Sequence, residues 1–188
     1  MGNSGRHKNR EVAMPLKVRR VVTGHDSQGR AVVLSDGLPP QCGEDPEVKV
    51  GIAELWATSE FPVSNKGIKE AVPGPLPIPP GDRGTVFRIV EFPPEQEESA
   101  NTEAVQNYLR NQGAVTPARA RHPGMHKTHT VDYAVVLSGR IDLLLDEQEV
   151  TLQAGDTVVQ RGTFHAWANR YADPCQVAFI LVAAAPAP

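Results

Sequence analysis

Between Thr130 and Ala183 the chain breaks into short segments rich in β-branched and apolar residues. This rhythm constrains the fold more than any other feature. The segments are Thr130–Leu137, Arg140–Leu145, Glu149–Leu152, Thr157–Gln160, Phe164–Asn169 and Gln176–Ala183. Ser138-Gly139, Asp146–Gln148, Ala154-Gly155 and Arg161-Gly162 fall between them as turns. Glycine supplies the positive φ that tight turns need. Many short strands at even spacing, with such turns, predict a sandwich or barrel.

The preceding residues extend this pattern. Lys17–Thr23 and Arg30–Ser35 flank Gly24–Gly29, whose Gly, Asp and Ser suit a hairpin. Val48–Ala57 and Thr85–Phe92 read as further strands, the second ended by Pro93-Pro94. The proline-rich run Val72–Gly81 cannot sit in a central strand, because each proline removes a ladder donor. It is expected as an extended connector over the surface, or an arm packing on a neighbour. Glu95–Gln112 starts acidic and then places Val105, Tyr108 and Leu109 on one weak helical face. A short helix over Thr102–Asn111 is expected there, as a solvated connection rather than a lid. The predicted organisation is all-β: a flexible tail over 1–15, then strands, connector and helix packing on the barrel over 16–116. The core covers 117–185.

Composition narrows the partners. With 188 residues there is enough chain for a real core. A formal net charge of −3 gives no basic face for nucleic acid. Met1–Arg10 lacks the apolar centre of a secretion signal. The longest apolar run, Val177–Ala185, is too short to cross a bilayer. Cys42 and Cys175 form neither a zinc pattern nor a disulfide framework, which suits a reduced cytoplasmic setting.

Side chains alternate along a strand, so His165, Trp167 and Asn169 share one face. That stripe is expected to line a pocket. A second polar group, His126, Thr128, His129 and Asp132, runs into the apolar strand that ends at Gly139. Tyr133 should face away from Asp132, and Arg161, in a turn, should be exposed.

These two segments resemble the paired motifs of the cupin superfamily, in particular its small single-domain bacterial and fungal members. Gly155, Gly162, His165 and Asn169 match the second motif, with Arg161 where proline is usual. In the first, Gly139 fixes the register. His126 then occupies the first histidine position and Asp132 the place of the usual Glu. Thr128 falls on the second histidine position, and His129 lies one residue later.

The resemblance implies a single-domain jelly-roll barrel (a double-stranded β-helix) with N-terminal extension strands, which forms a homodimer and takes a small-molecule substrate. It implies one divalent metal ion (Fe, Mn, Ni or Zn) held by His126, Asp132 and His165, and no nucleotide cofactor. His129 would add a fourth ligand if turned inward, although in an unbroken strand it has the opposite parity to His126. Asp132 is also one carbon shorter than Glu. The alternative is a metal-free pocket in which His126, Asp132 and His165 form a proton-transfer cluster. Thr128, Gln160, Trp167 and Asn169 are expected to contact substrate. The implied function is an enzyme of dioxygenase, decarboxylase or isomerase type on a small oxygenated molecule, or else a binding protein without chemistry.

Overall fold

The computed structural model describes residues 16–66, 70–95 and 102–186, so the expected tail over 1–15 lies outside the described residues. The elements in chain order are β1 (Arg20–His25), β2 (Ala31–Gly37), β3 (Cys42–Glu44), β4 (Gly51–Thr58) and β5 (Thr85–Phe92). Next come α1 (Thr102–Asn111), β6 (Thr130–Ser138), β7 (Arg140–Leu144), β8 (Glu149–Gln153) and β9 (Thr157–Arg161). The last two are β10 (Ala166–Ala168) and β11 (Cys175–Ala183).

Two sheets build the container. One has six strands in the order β3-β4-β5-β11-β6-β9, the other three in the order β10-β7-β8, and β1-β2 stands apart as a hairpin. The ladders within them are antiparallel. Strand alternation then decides what faces inward. Val86 and Val90, Ala134 and Val136, and Val177, Phe179 and Leu181 project from the large sheet. They meet Ile141, Leu143, Leu152 and Trp167 from the small one. This is the jelly-roll barrel that the resemblance implies, one form of the sandwich or barrel that the even strand spacing predicts. A buried Ile or Leu in such a core costs about 2–5 kcal/mol when cut to Ala.

Smaller clusters fasten the extensions. Leu16, with Val18 and Cys42, covers Ala53, Leu55, Ile89 and Ala178 on the outer side of the large sheet. Met125 and Ala120 pack on Leu144, Ala166 and Ala168, which fixes the segment before His126 against the outside of the small sheet. β4 and β5 are integral strands of the large sheet, so the barrel wall begins well before residue 117.

Three local expectations change. The strand over Phe164–Asn169 contracts to Ala166–Ala168, because His165 is engaged in a separate bridge to His126. The connector over 72–81 is a strap across its own barrel. Val72 is fully buried, Leu76 and Ile78 pack on the barrel core, and Arg88 Nη2 donates to Pro77 O at 2.7 Å. Its alternating prolines exclude it from the sheet, yet its Leu and Ile still find apolar cover. Helix α1 is likewise no solvated connection. Leu109 and Gln106 are buried, and Gln106 Nε2 donates to Met125 O at 2.9 Å, propping the segment that carries His126. Tyr108 Oη donates to Asp45 Oδ2 at 2.8 Å on its other side. No helix among the described residues is long and apolar enough to cross a membrane.

Candidate functional site

The inward face of β6 carries Thr130 and Asp132, with Thr128 two residues before it in the same phase. All three are buried. Opposite Asp132 in the ladder stands Gln160 of β9. Its Nε2 donates to Asp132 Oδ2 at 2.8 Å and lies 3.1 Å from His165 Nε2. Thr128 and Thr130 hydroxyls are 2.6 Å apart, and Thr130 hydrogen-bonds Asp132 in turn. A continuous polar row therefore runs from Thr128 through Thr130, Asp132 and Gln160 to His165.

His126 joins the row from the other side. Its backbone and that of His165 exchange both hydrogen bonds at 2.9 Å, and the two ring centroids lie 4.4 Å apart. His126 Nδ1 faces Gly124 O at 2.8 Å and His165 Nδ1 faces Thr163 O at 3.0 Å. A carbonyl oxygen only accepts, so both Nδ1 atoms carry hydrogen and each neutral ring keeps its lone pair on Nε2. Burial holds both imidazoles below the usual histidine range, and for His165 the neighbouring His126 adds to the effect. Burial also pushes the Asp132 carboxyl up, against the opposing hydrogen bonds from Thr130 and Gln160 and the attraction of Arg88.

A divalent metal needs imidazole nitrogens and carboxylate oxygens converging on one point. The deprotonated Nε2 atoms, each backed by a carbonyl on Nδ1, are the histidine form such an ion requires. The third donor is not brought in. Gln160 stands between Asp132 and His165 with its amide nitrogen, a donor, turned to both. Among the described residues no group of three or more His, Cys, Asp or Glu is placed to hold a metal ion. His129 is exposed and lines a surface recess with Pro79, Asp82 and Ala184, as its opposite parity requires. In this arrangement the expected ligand set does not fit the ion.

The remaining expected residues divide. Thr128 and Gln160 belong to the row. Trp167 faces the barrel interior but packs among aromatics, 6.4 Å from Phe92 and 5.2 Å from Phe179 between centroids. Asn169 ties a turn: Nδ2 donates to Phe92 O at 2.8 Å and Asp173 O at 2.9 Å, and Oδ1 accepts from Tyr171 N at 3.1 Å. Those bonds use both amide hydrogens and one lone pair of Oδ1 to hold the turn, and the side chain is buried there. Tyr133 and Arg161 are exposed as expected.

Three inward polar residues were not anticipated. Thr130 shares its phase with Thr128 and Asp132, which parity alone could have revealed. Arg88 lies between inward Val86 and Val90 in an alternating strand, also a legible signal. Glu54, its ladder partner, is concealed by a bulge between Glu54 and Trp56 that breaks the alternation. Arg88 Nη2 lies 3.1 Å from Glu54 Oε1, and both side chains are buried. Burial pushes the Arg88 guanidinium down and the Glu54 carboxyl up, each opposed by the other's charge.

Two surface recesses touch the ends of the polar row, one at Thr128 beside Pro79 and one at Gln160 along the edge of β9. The second, of about 630 Å³, is lined by Gln160, Leu143 and Val158 from the barrel wall, with Lys127, Arg161 and Phe164 at its rim.

Residues 112–182 match the family described as Cupin domain. The chain is 32% identical to Phomopsin biosynthesis cluster protein D of Diaporthe leptostromiformis, over 90% of this chain and 78% of that one. It is 28% identical to the cupin-domain-containing oxidoreductase fogC of Aspergillus ruber, over 81% of this chain and 64% of that protein. Among solved structures, a Cupin 2 conserved barrel domain protein from Salinispora arenicola aligns with a TM-score of 0.39 and 14% identity. That alignment covers 74% of this chain and 81% of the other.

Proposed function

The chain belongs to the cupin superfamily, and on that premise we propose that it is an enzyme moving protons on a small oxygenated organic molecule held in its barrel. The observation that carries this reading is the pair of Nδ1-to-carbonyl contacts on His126 and His165, which fixes both rings with Nε2 as a base. His165 Nε2 is already met by the Gln160 amide, which leaves His126 as the acting base. It takes a proton from a carbon beside a carbonyl, or from a hydroxyl. The C–H or O–H bond breaks, its electron pair moves to the substrate oxygen, and a new N–H forms at Nε2. The Gly124 carbonyl steadies the resulting imidazolium through Nδ1–H. Burial, which disfavours the charged ring, makes that imidazolium a ready acid, so the proton returns to the product. Such a positioned base contributes about 10²–10⁴-fold to rate. Thr128 and Thr130 relay their hydroxyls toward Asp132 and leave oxygen lone pairs for a substrate hydroxyl.

Hydroxylated ketones such as dihydroxyacetone, incubated with the protein in D₂O, should lose their C–H signals by NMR faster than with buffer alone. His126→Ala should abolish the excess. Equal exchange by wild type and His126→Ala across the panel would end this reading.

A redox reaction on the same class of molecule is the second reading, because cupin-domain oxidoreductases are among the relatives. Oxygen consumption that depends on substrate, without C–H exchange, would favour it.

A further inference from the structure

Five buried side-chain atoms among the described residues lack a hydrogen-bond partner, and four of them project from the inward face of one sheet. They are Glu54 Oε2, Arg88 Nε, Asp132 Oδ1 and Gln160 Oε1. The ladder sets their order: Glu54 pairs with Arg88 across β4 and β5, and Asp132 with Gln160 across β6 and β9. β11 lies between, contributing Phe179 opposite Arg88 and Leu181 opposite Asp132. The barrel thus contains two polar stations separated by apolar side chains.

Leaving such atoms unpaired costs about 1–3 kcal/mol each, and more where the group is charged. A buried ion pair is also a poor stabiliser, since well-packed apolar residues serve as well or better. Stability therefore does not account for Glu54 and Arg88 inside the barrel. A bound molecule that completes the missing bonds does.

The unpaired atoms specify its chemistry. At the first station a donor, Arg88 Nε, stands beside an acceptor, Glu54 Oε2. A hydroxyl satisfies both, accepting from one and donating to the other. At the second station both unpaired atoms are acceptors, which call for a ligand hydrogen. A carboxylate would match Arg88 Nε alone and set its charge against Glu54 and Asp132. A cation would match the oxygens and oppose Arg88. We propose that the barrel selects a neutral molecule bearing at least two hydroxyl groups, one held between Arg88 and Glu54 and another against Asp132 and Gln160. This rests on the reading of the barrel as a site for a small oxygenated molecule and narrows it to one class. The Gln160 station opens on the recess beside β9, while the strap roofs the other through Pro77 O on Arg88.

The test compares 4-hydroxybenzyl alcohol with 4-hydroxybenzoate by titration calorimetry at neutral pH. The two probes share a ring and differ in one end, neutral or anionic. Wild type should bind the alcohol at least about tenfold more tightly, since like charges placed together cost several kcal/mol. Glu54→Gln, which removes one opposing charge, should bring the ratio down toward one or invert it. Asp132→Asn should lower it as well and serves if Glu54→Gln melts early. Preference for the benzoate in wild type, no binding of either probe at about 10 mM, or a ratio unmoved in both variants would overturn the proposal. Because the readout is binding without turnover, selectivity can survive a failure of the proton-exchange experiment, and exchange can survive a failure of selectivity.

Discussion

His126 and His165 are related by a local two-fold arrangement of their backbones. Each donates its N–H to the other's carbonyl at 2.9 Å, and each turns Nδ1 back to the carbonyl two residues earlier, Gly124 for one and Thr163 for the other. Two segments nearly forty residues apart in sequence thus present the same ring face by the same local device. Every hydrogen bond given for the pair is to main chain except one, the amide of Gln160 on His165 Nε2.

That asymmetry predicts unequal roles. His126→Gln should remove the free base and cut C–H exchange by about 10²–10⁴-fold. Gln160→Leu should act less severely, by freeing His165 Nε2 while leaving Asp132 short of a donor. The ranking is checked by NMR exchange rates in D₂O with folding monitored by circular dichroism. Equal losses in the two variants would mean that the rings work as one unit.

The same amide makes a prediction about metals. With Gln160 Nε2 turned to both Asp132 and His165, wild type should carry well under one equivalent of Fe, Mn, Ni or Zn by elemental analysis after exposure to each. Gln160→Glu puts a carboxylate at the point where the ligand set lacks a third donor, and should raise retention severalfold. Finding a full equivalent in wild type, lost on His126→Ala or His165→Ala, would show that Gln160 swings aside and that the metal reading is the correct one.

The legible and illegible parts of this chain separate by physical cause. Periodicity of two and glycine turns located the barrel strands, and α1 was read with its ends at Thr102 and Asn111 as found. Parity places Tyr133 outward, whereas His129, kept as a possible fourth ligand, is turned to the surface by the structure. The motif register brought His126, Asp132 and His165 to one neighbourhood. What failed were features that depend on a partner distant in sequence. The strap over 72–81 looks like a surface connector until Leu76 and Ile78 meet the core. Asn169 looks like a ligand-facing amide until Phe92 O and Asp173 O are found to occupy it. Gln160 drew attention as an inward side chain, yet nothing local announces that it separates Asp132 from His165.

Gly139 offers a test of the register that the first motif depends on. Its φ of +75° lies in the left-handed region, and an added Cβ would come 2.6 Å from Pro174 O and 2.9 Å from Cys175 Cα. Both obstacles are backbone, so neither can rotate away. Gly139→Ala should cost about 1–3 kcal/mol in backbone strain before the clash is added. In chemical denaturation it should fall well below Gly155→Ala, whose φ of +95° carries strain but whose Cβ would meet nothing within 4 Å. Similar losses in the two variants would assign the whole effect to φ and none to the contact with the start of β11.

The strap supplies a pH prediction away from the paired histidine rings. Two residues ahead of its start, Glu70 takes a bidentate pair of bonds from Arg20 at 2.9 and 2.6 Å and accepts from Val72 N at 3.0 Å. The Arg20 guanidinium, foremost, and the backbone N–H draw its carboxyl down to about 2. A carboxylate whose folded value lies below its unfolded one stabilises the fold at higher pH, and that contribution disappears as pH falls from the unfolded value, about 4.3, through the folded one. Glu70 is one-third exposed, so solvent screens part of the effect and the loss should be about 1 kcal/mol. Glu70→Gln should melt earlier than wild type at pH 6, and the gap should narrow steadily between about pH 4.3 and pH 2. A gap that stays constant over that interval would show that the strap is held by Val72, Leu76 and Ile78 packing alone.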